Sequence, residues 1–550
     1  MAELSTNVKE LMKRAEKAFS DKEPFDSLCQ TIAENVYPER SDFTSDISLG
    51  DEFASDLSDS TPVLMRRDLG NARAGMLRPR GQPWFAHDVE DERIREESGA
   101  ARWLDWTTNI HRRALYASKT GFVRATKEND HDDVAFGNGV ISGEENDRRD
   151  GLKFRCHHLR DCAWYENHDG EVDTLFRKFK PTCRQMRQKW GDKALHQRVQ
   201  DACKDRPDST CNVRHIMMPA EDYEYQTRKK TPKGPQFVSI YVDVDNQWLI
   251  SENPSWEFRY VVSRWATLSN SQYGISPAAM VSLPDARMLQ ALAAIIQDAG
   301  ERALSPPIKA TEEAVRGDIE LFAGGRTWVD REYDERLGPA IEAIKLGENP
   351  GIGIELLLRL QAQLKDEWYV SKLQLPQQGA KTAYETAQLV EEFIRSNIPL
   401  FEPWEADNVA LLELSSSILL RVGAFGPVEN IPPSLRGQPM TFSFTNPLQD
   451  ALKKSRVYQF QTAAQINSMA RTMDPAAAVD FNVRAAQREA IEGSGAPAEW
   501  LVEKKDADAA AAQQKQQQAI QQATQQIGMA GQAGQDVGKA GQEMKMGLAA

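Results

Sequence analysis

Residues 273–308 read YGISPAAMVSLPDARMLQALAAIIQDAGERALSPPI. A helix is expected from Pro284 to Leu304, striped by Met288, Leu292, Ile295, Ile296, Ala299 and Ala303 at helical spacing. Asp285 in its first turn and Arg302 in its last suit the helix dipole. Ser305-Pro306-Pro307 stops it, since proline disfavours the helical region in the residue before it. A second helix is expected over about 352–371, striped by Ile354, Leu357, Leu364 and Trp368. Between them, residues 306–350 are turn-rich and strand-like, with Gly324-Gly325 at a hairpin tip. Two helices of similar length around a small β insert predict an antiparallel helical hairpin. A loop, LQLPQQGAKTAYETAQL (373–389), leads into a third helix through Phe393.

Outward from this hairpin the chain is mixed. Toward the N-terminus, Val8, Leu11, Met12, Ala15 and Phe19 predict one helix. Phe25, Leu28, Ile32 and Val36 predict a second, ending at Tyr37-Pro38. Residues 41–60 form an acidic, Ser-rich loop, expected to be a solvated charge run. Thr61-Pro62 starts a helix that ends at Arg78-Pro79, and its Gly70, Ala74 and Gly75 would permit close packing. Further helices are expected around Trp103–Ala114 and from Phe122 to Phe136, the latter capped by Gly137-Asn138-Gly139. From Gly151 to Trp265 alternating segments such as LKFRCHH and FVSIYVDVDNQWLI predict strands, interrupted by one helix near 182–200. The fold class is α+β, mainly helical. Helices return up to Trp500. Residues 501–550 are rich in Ala, Gln and Gly and lack aromatics, so they cannot bury a core alone; a partly helical, then mobile tail is expected.

Bulk chemistry narrows the function. Among 550 residues, 67 are basic and 81 acidic, a net charge of −14. A protein that grips DNA tightly is normally basic, because Lys and Arg neutralise the phosphates. Six thinly spread cysteines and an N-terminus without an apolar signal core predict assembly in a reducing cytoplasm with free thiols. No uncharged apolar run reaches the length of a membrane span, so no direct membrane insertion is expected.

Apparent catalytic motifs dissolve on inspection. Gly379-Ala380-Lys381-Thr382 imitates the end of a nucleotide-binding loop. That loop needs Gly where Leu375 and Ala380 stand, and a buried strand before it. CHHLRDC (156–162) contains zinc-ligand types, but adjacent histidines on a strand point to opposite faces and the cysteine spacing suits no zinc knuckle. The acidic loop lacks the ligand register of a calcium site. Neither a Gly-x-Ser-x-Gly elbow nor a His-Glu-x-x-His pair occurs. No cofactor, no metal and no enzymatic activity are therefore expected.

The order of short signatures is more specific: ENVYPERSDFT (34–44), GNARAGMLRPRGQPWFAHDV (70–89), AFGNGVI (135–141), YGISPAAMVSLPDARMLQAL (273–292), SPPI (305–308), AKTAYETAQLV (380–390) and NPLQDA (446–451). Over about residues 5–490 this resembles the head-to-tail connecting, or portal, proteins of T7-like short-tailed bacteriophages, although AKTAYE departs from that family's Thr-Ala-Thr-Glu pattern. The resemblance implies a portal-type fold: a wing (1–283), a first stem helix (284–305), a small β-containing clip (306–350), a second stem helix (351–371) and a tunnel loop (372–382). A long helix with a return to the wing (383–445), a helical crown (446–500) and the tail would follow.

By resemblance, subunits would form a closed ring, a dodecamer, at one vertex of the virion capsid, after assembly in the host cytoplasm. The ring would pass double-stranded DNA non-specifically in packaging and ejection. Its partners would be the terminase, scaffolding and major capsid proteins, and tail adaptor proteins. Gln377, Gln378 and Lys381 would touch DNA phosphates without reading bases. The competing expectation is a head-tail adaptor or minor capsid protein without a channel.

Overall fold

The computed structural model describes residues 6–493, apart from 49, 54–55, 82, 96, 147–150, 305, most of 312–349, 371–382, 445–446 and 474–480; beyond 493 it describes only 510, 513, 516 and 517. Two compact units result, one of residues 1–90 and 103–447, the other of 91–102 and 448–550.

In the larger unit, α1 (Thr6–Val36) is a single helix of 31 residues with Pro24 inside it, not the two expected helices. Its halves serve different cores. Val8, Leu11 and Ala15 pack on a sheet, whereas Cys29, Ile32 and Val36 join the main core. Near the proline, the fully buried Lys22 pairs with Asp26 at 2.9 Å and donates to the Leu159 carbonyl.

The next helix, α2 (Thr61–Leu77), begins at Thr-Pro and stops before Arg78-Pro79 as the sequence predicts. Helices α3 (Glu92–Arg95) and α4 (Ser98–Leu115) come next in the chain, and α2 crosses α5 (Phe122–Phe136) so closely that a Cβ at Gly70 would collide with the His131 ring. At the end of α5, Gly137 takes φ +70°, a left-handed cap that glycine adopts without strain.

Strand β2 (Asn138–Glu145) follows directly and is the centre of an antiparallel three-stranded sheet, β3-β2-β9, with β3 (Leu152–His157) and β9 (Tyr260–Arg264). A second, five-stranded antiparallel sheet runs β4-β5-β6-β7-β8: Cys162–Glu166, Val172–Phe179, Val213–Pro219, Phe237–Asp243 and Trp248–Ser255. Its two-residue alternation is visible in β7, where Val238, Ile240 and Val242 face α1 and Tyr241 faces the other way. The opposite face carries α6 (Cys183–Trp190) and α7 (Gln197–Asp205), where the sequence predicted one helix. A Thr182–Gln185 capping box starts α6, and Gly191 ends it; α8 (Ala220–Thr227) follows β6.

Strand β1 (Phe85–Val89) pairs with β12 (Met440–Phe444), a link across most of the chain that no local pattern announces. The helical hairpin is present. Helix α9 (Pro277–Leu304) starts seven residues before Pro284 and packs along α10 (Pro350–Glu367). Between them β10 (Ile308–Ala310) pairs antiparallel with β11 (Ile341–Ala343). Gly324-Gly325 lies outside the described residues. The following helix, α11 (Ala383–Val422), has 40 residues and runs through Pro399 and Pro403, far beyond the expected end at Phe393. The smaller unit contains the helices Pro447–Met473 and Val483–Gly493.

Candidate functional site: the helical hairpin and the base of the long helix

The hairpin's two helices are joined by polar contacts above an apolar seam. Leu289, Leu360, Leu364 and Trp368 are buried in the seam. Trp368 Nε1 donates to Ser282 Oγ at 2.8 Å, and Gln363 Nε2 donates to Asp285 Oδ2 at 2.9 Å. Asp59 latches the preceding loop to both helices. Its carboxylate accepts from Gln361 at 2.8 Å, and its backbone N–H and carbonyl bond the Gln290 amide. The expected solvated charge run is therefore partly structural, because Asp42 also pairs with His158 at 2.6 Å and Arg160 at 3.1 Å.

The predicted stripe of α9 is corrected in part: Leu292 packs against the core as expected. Met288 and Ile295 face outward, 52% and 62% exposed, with Val281 at 63%. The inner face instead uses Ala278, Ala279, Ser282, Leu283, Ala286, Leu289 and Ala293. Helix α9 is apolar on both sides, so periodicity alone could not choose the face. By length and composition it even qualifies as a membrane span, with a window of mean hydropathy 1.3. One such helix is weak evidence for a span, since core helices pass the same test.

Midway along α11, Trp404 is fully buried, its ring 4.9 Å from Trp265 and under the Arg73 guanidinium. Arg73 contacts Asp133, Asp130 (3.1 Å) and Asp407 (3.4 Å). Arg78 pairs with Asp130 and donates to Asn408 Oδ1 at 2.9 Å. Helices α2, α5 and α11 thus meet over two guanidiniums and three carboxylates. Burial, then repulsion by Asp133, holds the Asp407 carboxyl well above its ordinary value. A proton on Asp407 leaves the cluster electrically neutral, which a dry interior favours.

A second polar chain ties α11 to the β1 edge. Thr107 Oγ1 and His87 Nδ1 lie 2.9 Å apart, His87 Nε2 and His111 Nδ1 2.9 Å, and His111 Nε2 and Ser415 Oγ 2.7 Å. Phe85, Phe425 and Phe442 box the two imidazoles. Burial pushes His87 down to about 4 and His111 well below its usual value, so both are neutral near pH 7.

The sequence-predicted residues Gln377, Gln378 and Lys381 lie outside the described residues, in the stretch between α10 and α11. The CHHLRDC residues diverge. His157 bonds Ser142 at 2.8 Å, His158 bonds Asp42, Cys156 faces Asp132 and Cys162 is fully buried. Sequence reasoning missed the Arg73–Asp407 cluster. The signal available was Asn129–Asp133, a run of polar residues inside a helix and all of it buried.

Residues 8–502 match the family described as bacteriophage head to tail connecting protein. The chain belongs to this family. A probable portal protein of Bordetella phage BPP-1 is 24% identical over 464 residues, covering 82% of this chain and 80% of that protein. The portal protein of Salmonella phage epsilon15 is 22% identical over 334 residues, covering 59% and 58%. Among solved structures, a chain from the neck of an empty gene transfer agent particle covers 76% of this chain and 89% of its own length, at 11% identity and a TM-score of 0.35. Family membership makes this protein a portal-type head-tail connector and a component of the phage virion, with a structural role.

Proposed function

We propose that this connector closes into a dodecameric ring at one capsid vertex and is the conduit for double-stranded DNA in packaging and ejection. The observation that carries this reading is the outward stripe of α9. Val281, Met288 and Ile295 recur every seven residues, with exposed Pro284 and Ala291 between them. A 3-4 apolar repeat on an exposed helix is the pattern that packs against another helix. Its partner is the hairpin of a second copy, where Ile354 (47% exposed) and Leu358 (58%) face outward on α10. One face of the hairpin meeting a different face of the next is a heterologous contact, which generates a ring when the rotation closes.

In this reading α9 and α10 are the stem, 306–350 the clip, 372–382 the tunnel loop, 1–283 with the return of 383–445 the wing, and 446–500 the crown. Gln377, Gln378 and Lys381 touch passing phosphates. The chain hydrolyses nothing. It docks a terminase during packaging and tail adaptors afterwards, and meets scaffolding and major capsid proteins during head assembly. The stripe favours this over a channel-free adaptor, which needs no repeating hairpin contact.

Negative-stain images and light scattering of wild type and of Met288→Glu/Ile295→Glu test it. Rings with a central hole are expected for wild type, and monomers of unchanged melting behaviour for the variant. Wild-type particles without a hole overturn the conduit, and rings formed by the variant overturn the stripe. For the loop, Lys381→Glu should impair packaging or DNA retention. A variant normal in both removes Lys381 from that role.

A further inference from the structure

Residues 180–212 leave the five-stranded sheet after β5 and return to it at β6, forming the cap made of α6 and α7. Its two ends touch at one antiparallel bridge, Thr182 with Thr210. The Cys183 amide donates to the Ser209 carbonyl at 2.9 Å, and the Cys211 amide to the Pro181 carbonyl at 3.0 Å. Cys183 and Cys211 therefore sit diagonally on one face of this bridge. Their sulfurs are 3.7 Å apart although the residues are 28 positions apart in sequence. Cys183 is fully buried and Cys211 half-buried. The third thiol of the cap, Cys203, donates to the Cys183 carbonyl at 3.0 Å and also lies against the Cys183 side chain.

We infer that Cys183 and Cys211 are an oxidisable pair, reduced while the connector assembles and joined as a disulfide once the virion has left the reducing cell. A disulfide needs its sulfurs about 2.05 Å apart. The sulfurs start 3.7 Å apart, and the bridge that holds the two strands together keeps them close while they approach. Cytosolic thiols stay reduced, and a virion component later meets an oxidising medium. The oxidant is a low-molecular-weight disulfide. Burial, then the Cys183 hydrogen bond, pushes the Cys211 thiol up to about 12, so base must supply its thiolate; that thiolate, the more accessible of the two, attacks one of the oxidant's sulfurs, forming a mixed disulfide and releasing one small thiolate, which takes up a proton. The Cys183 thiolate then attacks Cys211 Sγ. The protein disulfide forms and a second small thiol leaves. Two protein thiols are oxidised and one external disulfide is reduced to two thiols. The product staples both ends of the cap, constraining the unfolded chain most where the enclosed segment is long.

The three cap cysteines fall in separate tryptic peptides, residues 179–184, 199–204 and 205–214, so the linkage is directly readable. The full chain, purified reduced, is incubated with oxidised glutathione at about pH 8.5 to raise the thiolate fraction, alkylated and digested without reductant. The expected product is a linked pair of peptides 179–184 and 205–214, two hydrogens lighter than their sum and released by dithiothreitol. Cys203→Ser should keep the link, and Cys211→Ser should lose it. Oxidised wild type should melt several degrees above the same sample after reduction, a comparison that needs no variant. Complete alkylation of both cysteines, a glutathione adduct on Cys211 that Cys183 never resolves, or a link to Cys203 instead would each overturn the inference.

Discussion

The guanidinium carbon of Arg73 stands 4.6 Å from the centre of the Trp404 ring, although the two residues are far apart in sequence. The same guanidinium reaches Asp130, Asp133 and Asp407, so one side chain of α2 fastens α5 and α11. Removing one partner of a buried ionic cluster leaves uncompensated charge, which costs about 3–5 kcal/mol. Arg73→Ala should lower stability by that amount in urea unfolding. Arg73→Lys should fall between it and wild type, because an ammonium keeps the charge but not the planar fork.

Asp407 gives the opposite sign. Burial, with Asp133 beside it, raises its carboxyl in the folded protein, so the folded state holds a proton that the unfolded chain releases at ordinary carboxylate pH. That contribution is fully present below the unfolded value and is lost as pH rises through the folded one. Asp407→Asn is neutral at every pH. Its stability should depend less on pH than wild type's, and its relative advantage should grow as pH rises. Urea midpoints across a pH series measure this; parallel curves for the two proteins would exclude the bound proton.

Gly137 is a position where backbone geometry decides. Its φ is +70°, and a Cβ there would run into the backbone of Ile275 and Ser276. Gly137→Ala should cost more than the roughly 1 kcal/mol of a simple left-handed alanine, because the packing of α5 against the start of α9 must also open. The check is thermal unfolding of the variant beside Gly75→Ala, where a Cβ meets nothing within 4 Å and should be harmless.

These residues also mark how far the sequence could be read. The end of α5 was legible because Gly-Asn-Gly is a local stop signal, and α2 because Thr-Pro is a local start. Strands between Gly151 and Trp265 announced themselves by alternation, but their assembly into a three- and a five-stranded sheet did not. Continuity of α1 through Pro24 and of α11 through Pro399 and Pro403 was not legible, since tertiary packing there outweighs the lost backbone bond. The face of α9 was ambiguous because both sides are apolar. The Arg73 cluster was hidden for another reason: Asp407 is 334 positions away, and nothing local records that pairing. The expected DNA contacts Gln377, Gln378 and Lys381 lie outside the described residues.

The His87–His111–Ser415 chain makes acid the expected trigger for loosening α11 from the β1 edge. Both imidazoles are packed among Phe85, Phe425 and Phe442, and His111 has His87 as its neighbour. A second proton would place two cations side by side in an apolar box. Burial holds His87 at about 4 in the folded protein, against about 6.5 when unfolded. The unfolded chain therefore binds more protons between these values, and stability must fall as pH drops through that window. Above about pH 6.5 the contribution is complete. His87→Gln and His111→Gln keep polar groups without the titration. The double variant should lose less stability than wild type between neutral pH and about pH 4, measured by urea midpoints at each pH. Equal losses in both proteins would show that the acid response comes from other groups.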